Sequence, residues 1–109
     1  MLKVSAEKLG SVALLHFEGR IVNDAATPMR EAVLSQADAC AIFLDLAKVD
    51  VVDASGLGVL LELREWSQAR GIELRLINVT KLVRQVLELT RLDSVFKTDS
   101  QREVQTVRD

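Results

Sequence analysis

Histidine and cysteine are almost missing from this chain, which holds one of each, His16 and Cys40. A single cysteine closes no internal disulfide, a usage that suits a reducing cytoplasm. A lone histidine midway along an apolar stretch reads as structural. A His-based nucleophile triad would have to recruit it for Ser55, and nothing in the sequence brings the two together. Cys40 and His16 also stand at no spacing that a metal site uses. No apolar run approaches the roughly eighteen residues of a membrane span. Met1-Leu2-Lys3-Val4-Ser5 lacks the charged-then-apolar layout of a secretory signal. The expectation is a cytoplasmic protein with no membrane insertion. There is no basic field either: the net charge is −2, the isoelectric point is about 5.4, and the Lys and Arg residues are scattered. Direct nucleic-acid binding is therefore not expected.

What remains is an ordinary globular composition, 49% hydrophobic and 28% charged over 109 residues. That length suits one domain spanning residues 1–109, with a polar tail or short helix over 98–109. No internal repeat, low-complexity tract or interdomain linker interrupts it.

Along the chain, residues 2–8 and 11–18 flank Gly10 as two strands of a hairpin, ended by Gly19. Ile21 to Ala26 reads as a link. Thr27-Pro28 is a helix start, Thr as N-cap and Pro at the first helical position, followed by Met29, Ala32, Val33 and Ala37 on one face. Ala41 to Leu46 has few polar residues, as a central strand does. After a short link, Val51-Val52-Asp53-Ala54 leads to Ser55, placed as the N-cap of a leucine-rich helix that runs to about Arg70 and stops at Gly71.

At 100° per residue, Val59, Leu60, Leu63 and Trp66 cluster on the side that should face the sheet. Leu57 and Leu61 lie off its centre, where they either widen the core stripe or present a patch to a partner. Ile72 to Ile77 is a further strand, completing a βαβ unit with a right-handed crossover. Thr80 caps a second amphipathic helix with Leu82, Val83, Val86, Leu87 and either Leu89 or Thr90 on its buried side. Val95-Phe96-Lys97 adds a short edge strand, and Ser100 to Glu103 has the spacing of a capping box.

This order predicts an α/β fold with the Ser55 end of the helix at the carboxyl edge of the central strand, where open α/β sheets bind ligands. Two of the five glycines, Gly56 and Gly58, bracket the first turn there. Each costs about 1 kcal/mol relative to Ala inside a helix, which suggests a surface that another molecule approaches closely. Gly-x-Gly without the Walker Lys-Ser/Thr is no phosphate loop. Asp24, Asp45, Asp50 and Asp53 could be read as a carboxylate cluster, although Asp also favours turns and helix starts.

Asp53-Ala54-Ser55-Gly56-Leu57-Gly58, after a strand ending Leu44-Asp45-Leu46, resembles the signature of STAS domains, and of anti-sigma factor antagonists in particular. In that family the motif reads Asp-Ser-Ser-Gly-Leu-Gly, and its second Ser, phosphorylated by a partner kinase, aligns with Ser55. The first Ser is Ala54 here. The resemblance implies a single STAS domain, with a mixed four- to five-stranded sheet and three to four helices. It also implies phosphorylation at Ser55 and partner contacts through Asp24, Asp53, Ala54, Ser55, Gly56, Leu57, Gly58 and Leu61. The partners would be an anti-sigma factor that is also a serine kinase, and a metal-dependent serine phosphatase. No catalytic residue, cofactor or metal is implied. Relatives that share Asp-x-x-Gly-Leu without a phosphoacceptor serve as constitutive subunits of transport complexes or signalling scaffolds, so that role stays open. So does the oligomeric state, a homodimer included. In Gly19-Arg20-Ile21-Val22-Asn23-Asp24 the acid of the family's Gly-x-Leu-Asp pattern comes two positions late.

Overall fold

The computed structural model describes residues 2–99, the last three through their backbone. Strands β1 (Leu2–Leu9) and β2 (Val12–Ile21) form an antiparallel hairpin. Gly10 turns it at φ +67, a conformation that glycine reaches without steric cost. A short 3-10 turn, Asn23–Ala25, leads into α1 (Ala26–Leu34). Then come β3 (Ala41–Val52), α2 (Ala54–Ala69), β4 (Glu73–Ile77), α3 (Lys81–Leu89) and β5 (Lys97–Asp99).

The strands lie side by side in chain order, β1-β2-β3-β4-β5, with β1 antiparallel and the rest parallel. Three successive crossovers step in the same direction across the sheet. Right-handed connections then place every helix on one face.

Packing follows from that placement. Leu15, Phe17, Ile42, Leu44, Leu46, Leu74 and Leu76 alternate along their strands and meet Met29, Val33, Leu60, Leu63, Val83 and Leu87 from the helices in one core. Leu14, Ala41, Phe43 and Ile77 form a second, smaller cluster on the opposite face. Both faces of β3 are thus apolar, which is why its first half reads as an unbroken hydrophobic run.

Several local expectations change. Gly19 does not end β2: it takes φ +124 at a register irregularity, and the strand continues to Ile21. That extension supplies partners for the predicted link, with Glu18↔Lys48, Gly19↔Val49, Arg20↔Val51 and Ile21↔Val52 in register, so β3 runs on to Val52. α1 starts before Thr27-Pro28 and has no side-chain cap. Pro28 is tolerated in its first turn because backbone N–H groups there have no helical acceptor. Ala37 lies beyond the helix and is exposed. On α3, Val83 and Leu87 are buried, but Leu82 is 59% exposed because the stripe reaching the sheet is narrower than the apolar pattern. The edge strand sits at Lys97–Asp99 instead of 95–97. The capping-box sequence from Ser100 lies outside the described residues.

The C-terminal end of α2 and the start of α3 agree with the pattern. Gly71 follows α2 at φ +71, and Thr80 accepts from the Val83 N–H at 3.3 Å. Leu60 is fully buried at the centre of the inner face of α2. Leu60→Ala is expected to lower unfolding free energy by about 2–5 kcal/mol. Leu89→Ala, at a side chain 84% exposed, should stay within about 0.5 kcal/mol of the parent. Urea unfolding of the two variants checks the pair.

Candidate functional site

The carboxyl end of β3 passes into α2 through Asp53, which is still extended at φ −101. Its N–H donates to the Ile21 carbonyl at 3.2 Å, joining the end of β2 to the start of the helix. Its carboxylate Oδ1 accepts from the Gly56 N–H at 2.8 Å, and its carbonyl accepts the first helical bond from Leu57 N at 2.9 Å. Asp53 is therefore the N-cap, and the expectation that Ser55 fills that role is corrected. An aspartate three residues before a free N–H satisfies it from extended backbone, whereas Ser55 already has helical geometry.

The consequence falls on Ser55. It is the second residue of α2, exposed, and its hydroxyl has no hydrogen-bond partner among the described residues. Ala54 and Gly58 are exposed beside it, at spacings that place them on the same helix face. Leu61, one turn further on, is half-buried and packs against the core. The 3-10 turn carrying exposed Asp24 packs against α2.

Gly56 and Leu57 face inward. A Cβ on Gly56 would lie 2.2 Å from the Ile21 carbonyl oxygen, so the close approach that requires this glycine is made by the chain itself. Leu57 is 7% exposed and widens the core stripe. Gly58 differs from Gly56, with nothing within 4 Å of an added Cβ. Of the residues singled out from sequence, the structure brings Ala54, Ser55 and Gly58 to one open surface, with Asp24 exposed on the neighbouring 3-10 turn. Asp53 and Leu61 support it half-buried, with Gly56 and Leu57 beneath.

A second polar cluster lies on the face of the sheet opposite the described helices. His16 Nδ1 is 2.8 Å from Asp45 Oδ2, and its Nε2 is 3.2 Å from Glu7 Oε1. Asp45 Oδ1 in turn accepts from Ala47 N at 3.0 Å and from Asn78 Nδ2 at 3.2 Å. Burial of the ring opposes its charge, but hydrogen bonds to Glu7 and Asp45 and their negative charges outweigh it, holding the His16 pKa above its ordinary value. Sequence reading treats His16 as structural and misses its partners. The hairpin turn at Gly10 is the one signal that could place Glu7 near it, and Asp45 needs the β2–β3 register.

The family model for the STAS domain matches residues 3–105 of the sequence. The chain belongs to the STAS domain family. This STAS domain is similar in structure to an anti-sigma factor antagonist from Mycobacterium paratuberculosis, at 20% identity and a TM-score of 0.85, covering 100% of this chain and 96% of that one. It is similar to the Bacillus cell fate determinant SpoIIAA in its phosphorylated form, at 16% identity and a TM-score of 0.74, covering 98% of this chain and all of the other. It is also similar to a sulfate transporter family protein from Wolinella succinogenes, at 19% identity and a TM-score of 0.74, covering 82% of this chain and 76% of that one. These likenesses concern the fold.

The two glycines of the motif should respond oppositely to alanine. Gly56→Ala drives a methyl group into the Ile21 carbonyl and is expected to cost about 1–3 kcal/mol or more. Gly58→Ala meets open space inside a helix and is expected to stabilise the STAS domain by about 0.5–1 kcal/mol. Denaturant midpoints of the two variants, measured side by side, check both signs.

Proposed function

We propose that this STAS domain is an anti-sigma factor antagonist whose binding is switched by phosphorylation of Ser55. The observation that carries the reading is the division of labour at the start of α2: Asp53 holds the cap, and the Ser55 hydroxyl stands exposed with no hydrogen-bond partner among the described residues. A kinase can reach that oxygen without unwinding the helix. The helix N-terminus carries roughly half a positive charge, so it tolerates a phosphate.

In the unmodified state, the surface of Asp24, Asp53, Ala54, Ser55, Gly58 and Leu61 docks on an anti-sigma factor that is also a serine kinase, with Gly56 and Leu57 as its foundation. Phosphorylation adds about −1.5 to −2 charge close to the Asp53 carboxylate. Burying that charge without a partner costs several kcal/mol, enough to weaken binding by orders of magnitude. No rearrangement of the fold is needed. A metal-dependent serine phosphatase would reset the surface. In this cycle the domain is a cytoplasmic regulator and a substrate, in keeping with a family whose members are generally non-catalytic.

The likeness to a sulfate transporter family protein favours a second reading, a constitutive STAS subunit of a transport complex that docks through the same surface without modification. Ser55 separates the two. Under the switch reading, Ser55→Ala keeps affinity for the cognate kinase and takes up no phosphate, while Ser55→Asp loses about 100-fold or more, equivalent to about 2.7 kcal/mol. Titration calorimetry and intact mass measure both. Equal binding by the two variants, with no phosphate on the parent, would leave only the constitutive role.

A further inference from the structure

The His16 cluster lies across the sheet from the helices, apart from the surface around Ser55. On this face the first three strands align Ser5, His16 and Asp45 in one row and Lys3, Glu18 and Lys48 in the next. These six residues line a concavity of about 660 Å³ whose outer wall is the edge strand β1.

His16 joins that wall to the floor. Both of its ring nitrogens contact carboxylates, Glu7 on β1 and Asp45 on β3. An ionised carboxylate only accepts hydrogen bonds, and a neutral imidazole has only one N–H to donate. The two contacts therefore form together only when the ring carries both protons. The surrounding charges agree: Lys3 and Lys48 with a charged His16 balance Glu7, Glu18 and Asp45, and loss of the proton leaves one negative charge in excess. Among the other described ionisable groups on this face, Glu73 and Arg75 of β4 are paired with each other, and exposed Arg20 and Asp50 lie further along, toward the ends of β2 and β3. Asn78, which reaches Asp45 from the end of β4, carries no charge.

The two carboxylates are held unequally. Asp45 has a side chain 13% exposed and two further donors, Ala47 N and Asn78 Nδ2. Glu7 is 54% exposed, and His16 is its only side-chain partner among the described residues. A neutral ring keeps its N–H on Asp45 and turns a lone pair toward Glu7, so the contact to β1 is the one that breaks.

We propose that His16 is a proton-operated tether for the edge strand, adding a side-chain tie from β1 to β3 on top of the β1–β2 ladder when the ring is charged and dropping it when the ring is neutral. The direction follows from the pKa. Because the folded value lies above 6.5, the tether's contribution is complete below pH 6.5 and is lost as pH rises through the folded value. The tether thus holds β1 more loosely in alkaline than in mildly acidic solution.

His16 is the only histidine, so its ring resonances in the full chain are unambiguous by NMR. Titration between pH 5.5 and 9 should give a midpoint above 6.5. Over the same range, protection of the β1 amides against hydrogen exchange, corrected for intrinsic rates, should fall about two- to five-fold, the size of effect of an exposed charged pair. Amides of β3 should not change. Glu7→Gln should lower the midpoint and remove the fall in β1 protection, and His16→Gln should make that protection independent of pH. A midpoint at or below 6.5, or β1 protection in Glu7→Gln that follows the same pH course as the parent, would overturn the tether. Neither result bears on the Ser55 switch, whose surface lies on other elements.

Discussion

A main-chain clasp between Ile21 and the first turn of α2 holds the rest of the motif in place. The Ile21 carbonyl accepts from Asp53 N and occupies the space where any side chain on residue 56 would go. With β2 and the helix N-terminus in contact, the register Ile21↔Val52 is locked, and β3 must extend to its full twelve residues. Asp53 then arrives extended, with its carboxylate under Gly56 N, and the cap is complete without Ser55.

That geometry separates support from exposure within six consecutive residues. Asp53, Gly56 and Leu57 fasten the helix to the sheet, while Ala54, Ser55 and Gly58 face solvent. A modification at Ser55 on such a rigid footing changes surface charge and leaves the fold alone, which is the behaviour a binding switch needs. A regulator that unfolded when modified would lose the docking surface together with the signal.

The sheet divides its faces in a similar way. One side is given to the core and the three described helices, because crossovers stepping in one direction must all pass over the same face. The other side combines a small apolar cluster around Phe43 with a charged region around His16. The Ser55 surface and the His16 cluster consequently stand on opposite sides of β3, each tied to that strand by an aspartate, Asp53 at its end and Asp45 in its middle.

Short-range information was enough for much of this. The hairpin strands flanking Gly10, the apolar run of β3, the stripe of Val59, Leu60 and Leu63, the cap at Thr80 and the stop at Gly71 all depend on neighbours within a turn or two, so the chain alone declares them. The motif around Ser55 was legible for the same reason, as was its place at the carboxyl edge of the central strand. What the chain could not declare were contacts between segments far apart: Ile21 against Gly56, β2 continuing past Gly19 to extend β3, and Glu7, His16 and Asp45 meeting across three strands. Those depend on strand register and on the distance between backbones, quantities that exist only once the sheet has assembled. Tertiary structure alone therefore decided that Asp53 caps the helix, that one glycine of the motif is buried and the other open, and that the single histidine bridges two carboxylates.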